Sequence, residues 1–295
     1  MSRATCEAKG APLSTTGMST KPKPIATAKH PEPGVPLIPF INWRGLQTLY
    51  MKEVKRFFKV QLQTVWAPAI TTLLFLAIFT VALGRGDRQV LGFDFNDFLA
   101  PGLIIMAMIQ NAFQNSQSSL LIGKIQGTIV DILMPPLSTW ELLVSFVAGA
   151  VTRGLLVGAA VYLAMWLWPG VSPVIREPWA IVFFGLSGMI MLALLGILVG
   201  LWADKFDHAA AVTNFLVQPL SLLSGTFYVI ERLPELARTI SLGNPFFYVI
   251  DGFRYGFLGV ADGPIGQGMI VLTGINLALL AACYRVLSTG WRIKN

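Results

Sequence analysis

WAIVFFGLSGMIMLALLGILVGLW, residues 179–202, decides the fold. The run contains no charged side chain and no proline. It is long enough to cross a bilayer, because a spanning helix needs about 20 mostly apolar residues. In hydrocarbon every backbone N–H and C=O must be bonded internally, which leaves helices and closed barrels. Its Leu, Gly and Met content shows weak alternation, so a barrel strand is disfavoured. Outward from this run, five more segments read as spans: 62–83, with Pro68 near its start, then 97–121, 141–168, 209–228 and 266–287. The third ends in the interfacial pair Trp166 and Trp168.

Composition agrees. The chain is 54% hydrophobic and only 13% charged, with mean hydropathy +0.64. A soluble domain carries about 25% charged residues. The net charge of +7 does not point to nucleic acid, because the basic residues sit at the ends of apolar segments rather than among stacking aromatics. Cys6 and Cys283 form no disulfide framework or metal spacing, and His30 and His208 stand alone. Residues 1–37, rich in Pro, Ser, Thr and Lys, are expected to be a disordered cytoplasmic tail without an apolar signal region, and Met18 offers an alternative start. Six spans with the N-terminus inside leave fifteen basic residues on the cytoplasmic side and six outside, and return the C-terminus to the cytoplasm. The expected organisation is an all-α polytopic membrane protein, with a membrane domain over 62–290 and a bacterial cytoplasmic membrane as its setting.

Five features carry chemistry. Residues 38–61 hold a basic amphipathic helix: apolar Leu46, Leu49, Tyr50, Val54, Phe57 and Phe58 face one way, and Lys52, Lys55, Arg56 and Lys59 another. Such a helix lies on the inner membrane surface, as an anchor or also as a partner contact. The segment GKIQGTIVDILMPPLSTWE, 123–141, places Ile125, Ile129, Ile132 and Leu133 on a short helix stopped by Pro135 and Pro136. It is a tight turn between spans or a docking knob for a motor. The segment 228–262 has more aromatics than a solvated loop needs, and glycines that interrupt a long helix. It is read as a helical element dipping into the outer leaflet, as an aromatic anchor or a gate. Asn111, Gln114, Asn115, Gln117, Ser118 and Ser119 in the second span, with Thr213, Asn214 and Gln218 in the fifth, bond between helices or line a path. Arg153 stands near the middle of the third span and needs a partner, such as backbone carbonyls, or binds an anionic substrate. The Gly154/Gly158 and Gly196/Gly200 pairs have the spacing of close helix contacts.

Absent motifs matter as well. There is no G-x-x-x-x-G-K-[ST], no His-Glu-x-x-His and no Gly-x-Ser-x-Gly, so no catalytic or metal-ligating residue is expected in this chain. No Asp, Glu or His lies deep in a span, which argues against a proton-coupled carrier and for energy from another chain.

FLAPGLIIMAMIQNAF (98–113), TIVDILMPPLSTWELL (128–143) and above all NPFFYVIDGFRYGFLG (244–259) resemble the permease subunits of type-2 ATP-binding-cassette transporters, exporter class, over about residues 40–290. The resemblance implies two permease copies and two cytoplasmic ATP-binding subunits, with ATP and Mg bound by those subunits. It implies that 123–136 is a coupling helix, with Lys124, Ile129, Asp131, Leu133, Met134 and Pro136 near the motor. Many relatives have an acidic pair there, whereas this chain has Val130 then Asp131. The helix with Lys52, Lys55, Arg56 and Lys59 becomes the interface helix. Asn244, Pro245, Phe246, Tyr248, Asp251, Arg254 and Tyr255 fall in an outer re-entrant element. Asn111, Gln114, Asn115, Asn214 and Gln218 become candidates for the export path. Two alternatives are a membrane-embedded lipid-modifying enzyme, for which Asp204 and Asp207 are the close acidic pair, and a non-transporting membrane assembly factor.

Overall fold

The computed structural model describes residues 41–290 except 84–88, 91, 169–170, 172–173 and 228–233. The expected tail 1–37, the first residues of the interface helix and the basic C-terminal end lie outside the described residues. Almost every described element is a helix. The exception is a hairpin, β1 (Gln89–Val90) paired antiparallel with β2 (Phe93–Asp94).

The chain enters α1 (Trp43–Phe58), capped by the Asn42 side chain, which accepts from Gly45 N. It turns through a π-helical stretch, Leu62–Trp66, into α2 (Ala67–Leu83). The long α3 (Phe95–Ile125) follows, then the single turn and a half of α4 (Ile129–Leu133). A capping box starts α5 (Thr139–Trp166): Ser138 Oγ accepts Glu141 N, and the Glu141 carboxylate accepts Ser138 N. Pro178 at the first position opens α6 (Pro178–Trp202), where its missing N–H leaves no carbonyl short of a donor. The next apolar stretch is divided: α7 (Phe206–Val212), a π-helical turn at Thr213–Val217, and α8 (Gln218–Leu222). Two short helices, α9 (Glu235–Leu242) and α10 (Pro245–Leu258), precede α11 (Ile265–Thr289). Both α10 and α11 end on a left-handed glycine, Gly259 at φ 72° and Gly290 at φ 67°.

Among the described residues, four helical runs are long and apolar enough to cross a membrane: Leu62–Val81, α5, α6 and α11. The chain is an all-α polytopic membrane protein. The two other expected spans differ in character for visible reasons. In α3 a run of amides and hydroxyls from Gln110 to Ser119 interrupts the apolar sequence. The fifth is broken by the π turn and closed at Leu222.

The core is centred on α3 and α6. Glycine permits their approach: a Cβ at Gly196 would sit 2.5 Å from Phe113 O, and one at Gly200 2.9 Å from Gln117 O. On α5, Gly154 and Gly158 press against Met189 and Met108. Both Gly-x-x-x-Gly pairs are thus close helix contacts, as their spacing predicts. Phe98, Phe113, Phe184 and Phe247 are fully buried in this packing.

Candidate functional site

The short helix α4 is a knob on one face of the bundle. Ile129 and Ile132 are buried beneath it, while Val130 (54% exposed), Asp131 and Met134 (78%) point outward. The side chain of Leu133 lies outside the described residues. Lys124 is not part of the outward surface. Its side chain is buried, and its Nζ donates to Leu201 O (2.8 Å), Ala203 O (2.9 Å) and Asp204 Oδ1 (3.1 Å). It caps the C-terminal end of α6, where a cation complements the helix dipole. Asp204 of the suggested acidic pair is therefore engaged in that cap. Among the described residues no three His, Cys, Asp or Glu side chains stand together.

A Glu141 carboxylate joins this knob to α1. Besides closing its capping box, Glu141 accepts the backbone N–H of Asn42, and Asn42 Nδ2 reaches Pro136 O at 3.5 Å. Ser145 Oγ donates to Leu46 O one turn along, and Tyr50 bonds Thr152 beyond that. The pairings 42–141, 46–145 and 50–152 advance together, so α1 runs parallel to the first half of α5. Lys52, Lys55 and Lys59 are exposed and border an open groove of about 680 Å³. Arg56 shares that border but turns inward, donating to Asn115 O (2.9 Å), Asn115 Oδ1 (3.1 Å) and Ser118 Oγ (3.2 Å). Glu53, 1% exposed, pairs with Arg56 at 3.0 Å and accepts from Ser119 at 2.7 Å. The i,i+3 spacing of Glu53 and Arg56 was the available signal for this pair. The Ser-x-x-Glu spelling of 138–141 was the signal for Glu141.

The polar run of α3 serves three neighbours. Asn115, Ser118 and Ser119 face α1. Gln117 donates to Ala209 O of α7 at 2.9 Å. Gln110, Asn111 and Gln114 line a groove of about 290 Å³ between α2, α3 and α8, with Gln63, Thr71 and Phe227 among its other walls. One of these residues, Gln110, donates from Nε2 to Gln218 Oε1 of α8 at 3.3 Å. Asn214 is exposed on the π turn. Of the path candidates, Asn111 and Gln114 thus line one groove, Gln218 is tied to it only through Gln110, and Asn115 and Asn214 stand away from it. Arg153 finds a side chain, not a backbone carbonyl: its Nη2 donates to Asn111 Oδ1 at 3.0 Å.

The polar residues of 244–259 are staples. Asn244 Oδ1 accepts Phe246 N, and its Nδ2 donates to Leu220 O at 2.9 Å, tying α10 to α8. Tyr248 OH donates to Leu242 O. Asp251 accepts Asp262 N and Gly263 N, both at 2.9 Å, tying α10 to the start of α11. Arg254, 1% exposed, donates to Gly225 O at 2.7 Å and lies 3.9 Å over the Phe98 ring. Pro245 starts the helix. Phe246, Phe247, Tyr248, Phe253 and Phe257 are all buried, so these aromatics pack within the protein rather than anchoring in a leaflet. Tyr255 is half-buried against Trp179.

Residues 44–258 match the ABC-2 type transporter family, and the chain belongs to it. It is 34% identical over 256 residues to the inner membrane transport permease YadH of Escherichia coli K12, covering 86% of this chain and 99% of that protein. It is 23% identical over 222 residues to nodulation protein J of Rhizobium leguminosarum bv. viciae, covering 74% and 83% of the two chains.

Proposed function

We propose that this chain is the membrane-spanning subunit of an ATP-driven exporter of the bacterial inner membrane. Two copies pair, and two cytoplasmic ATP-binding subunits, carrying ATP and Mg, dock beneath them. The observation that carries this reading is the α4 knob: an apolar base sunk into the bundle beneath an outward Val130, Asp131 and Met134. A mere turn between spans needs neither an apolar base sunk into the bundle nor an outward Val130 and Met134 held on either side of an exposed Asp131. In this reading Lys124 and Pro136 hold the knob in place rather than touch the motor. The exposed Lys52, Lys55 and Lys59 of α1 lie beside it as the interface helix.

In the proposed topology the chain crosses six times, with α3 and the α7–α8 run as the second and fifth crossings. Both termini are cytoplasmic, and α9–α10 form the re-entrant element on the outer side. The amide-lined groove of Gln110, Asn111 and Gln114, with Gln218 bonded to Gln110, is part of the export path. Support for this comes from the Gln110–Gln218 bond, a neutral contact that can open without stranding a charge.

The test is ATP hydrolysis in lipid by the chain co-purified with an ATP-binding subunit encoded beside it, for wild type and for Asp131→Ala with Met134→Ala. The expected result is a complex whose ATPase is lost or detached in the double variant. Equal binding and coupling in both, or no ATP-binding subunit retained by wild type, overturns the reading.

A further inference from the structure

A second cavity lies on a different side of the bundle. Between α3, α5, α6 and α10 runs an open groove of about 450 Å³, with Met108, Leu155, Ala159, Val182, Met189 and Phe257 among its walls. It exists because small residues meet there. Gly158 already has Met108 against it, whereas Gly185 keeps only an ordinary contact, its Cβ position lying 3.4 Å from the Phe253 ring. The groove opens away from the core: Leu155 is 46% exposed, Val182 58%, and Ala159 is exposed as well.

Its depth is informative. On α6 the lining runs from Ile181 to Met189, a rise of about 12 Å at about 1.5 Å per residue. One leaflet's hydrocarbon is about 15 Å deep, half of a core of about 30 Å. The groove therefore extends along most of one leaflet, on the side of the α6 N-terminus. Ile175 lines that end, and the exposed Arg176 follows it. The Arg176 backbone N–H is fixed to Gly256 O at 3.0 Å, and its guanidinium lies 4.9 Å from the Phe93 ring centroid. Trp179, 47% exposed, lies in the first turn of α6 and donates to Glu177, where aromatic residues mark the hydrocarbon–water boundary.

We propose that this groove binds one anionic phospholipid, its acyl chain along α5 and α6 and its phosphate at Arg176. Water is a poor occupant, because an ordered water needs two to four polar partners and these walls are apolar. An empty groove would forfeit dispersion contacts along its whole length. In lipid there is no hydrophobic drive to seat a chain, so retention rests on shape and on the phosphate–guanidinium pair. The length of the groove supplies the first, and Arg176, outside the groove walls but directly after Ile175 and with its side chain against Gly259, supplies the second.

The test uses the full chain in mild detergent, titrated with phosphatidylglycerol or with phosphatidylcholine and read by native mass spectrometry. It needs no ATP-binding subunit, so its outcome is separate from that of the transport reading. Wild type is expected to retain one phosphatidylglycerol. Ala159→Phe, which fills the groove from an exposed position, should weaken retention by roughly tenfold, which is about 1.4 kcal/mol. Arg176→Gln should abolish the preference for phosphatidylglycerol over phosphatidylcholine. Leu156→Phe, on the same helix but outside the groove, should bind as wild type does. Each variant is first checked for an unchanged elution profile, and Val182→Trp replaces Ala159→Phe if that variant does not fold. Wild-type retention in the groove-filling variant overturns the proposal. So does crosslinking of an Ala159→Cys chain to a second copy in native membranes, since protein would then cover the groove.

Discussion

Replacing Arg254 with methionine tests whether the α10 staples hold the bundle or merely decorate it. Its Nη2 donates to Gly225 O at 2.7 Å, and its guanidinium lies 3.9 Å over Phe98. A hydrogen bond from a charged donor contributes about 1.5–3 kcal/mol. A desolvated cation–π contact contributes about 2 kcal/mol. Against these stands the desolvation of the buried guanidinium, which methionine of similar length does not carry, and which in other proteins offsets several kcal/mol. The side chains alone come near to balance. What decides the sign is the carbonyl left behind: Gly225 is buried, and an orphaned buried acceptor costs about 1–3 kcal/mol. The expected net loss is thus about 1–3 kcal/mol. Arg254→Lys should lose nearly as much, since an ammonium cannot both lie flat on the ring and reach the carbonyl. The assay is reversible unfolding in mixed micelles titrated with dodecyl sulfate and followed by tryptophan fluorescence. Phe98→Leu, alone and combined with Arg254→Met, isolates the ring through a double-mutant cycle with an expected coupling of about 1–2 kcal/mol. If Arg254→Met unfolds within about 0.5 kcal/mol of wild type, the surface-like value for a site without special features, the staple argument fails.

Other perturbations separate local effects from global ones. Lys124→Ala removes the cap of α6, and amide exchange at residues 199–203 should quicken at least about tenfold while the rest of α6 is unchanged. Asn111→Leu strands a buried arginine and should destabilise by about 3 kcal/mol, whereas Asn111→Leu with Arg153→Met should recover most of that loss in the same micelle assay. Gly252→Ala puts a Cβ 2.4 Å from the Phe184 ring and should cost about 1–3 kcal/mol in thermal stability. Gly274→Ala, with nothing within 4 Å, should be neutral or stabilising by up to about 1 kcal/mol.

The sequence revealed the helices that are uniform and hid the ones that are interrupted. Residues 179–202 form α6 almost to the residue because nothing in the run competes with a helix in lipid. The fifth expected span carries Thr213, Asn214 and Gln218 within its apolar run, and it folds as α7, a π turn and α8, with Thr213 and Gln218 turned to partners on α3. Periodicity placed Arg56 with the lysines, but its partners Asn115 and Ser118 lie about sixty residues away, beyond any local pattern. Arg153 was marked as needing a partner. Which one, Asn111, depended on the rotation of α3 against α5. The aromatics of 244–259 were legible as too many for a solvated loop and were read as a leaflet anchor or gate, yet Phe246, Phe247, Tyr248, Phe253 and Phe257 are buried within the protein. Lipid and protein interior are equally apolar, so composition cannot say which of them surrounds a phenylalanine.

Glu141 shows how the two ends of the proposed mechanism are connected. One carboxylate holds the N–H of Ser138, which begins α5 just after the Pro135–Pro136 stop, and the N–H of Asn42, which begins α1. The knob of α4, the start of α5 and the start of α1 therefore share one anchor. A push on α4 cannot tilt α5 without carrying α1 with it, unless a charge-assisted bond breaks. Further along, Ser145–Leu46 and Tyr50–Thr152 keep the two helices in register up to the level where Glu53 and Arg56 reach Asn115, Ser118 and Ser119 of α3. From Phe57 and Val60 the chain passes through the π turn held by Thr64 directly into α2, one wall of the amide-lined groove. Displacement at α4 thus has a continuous path of polar contacts to both α2 and α3, the two helices whose separation would widen that groove. The neutral Gln110–Gln218 bond ties α3 to α8 beside that groove, so a movement of α3 away from α8 would have to break it, and breaking it strands no charge.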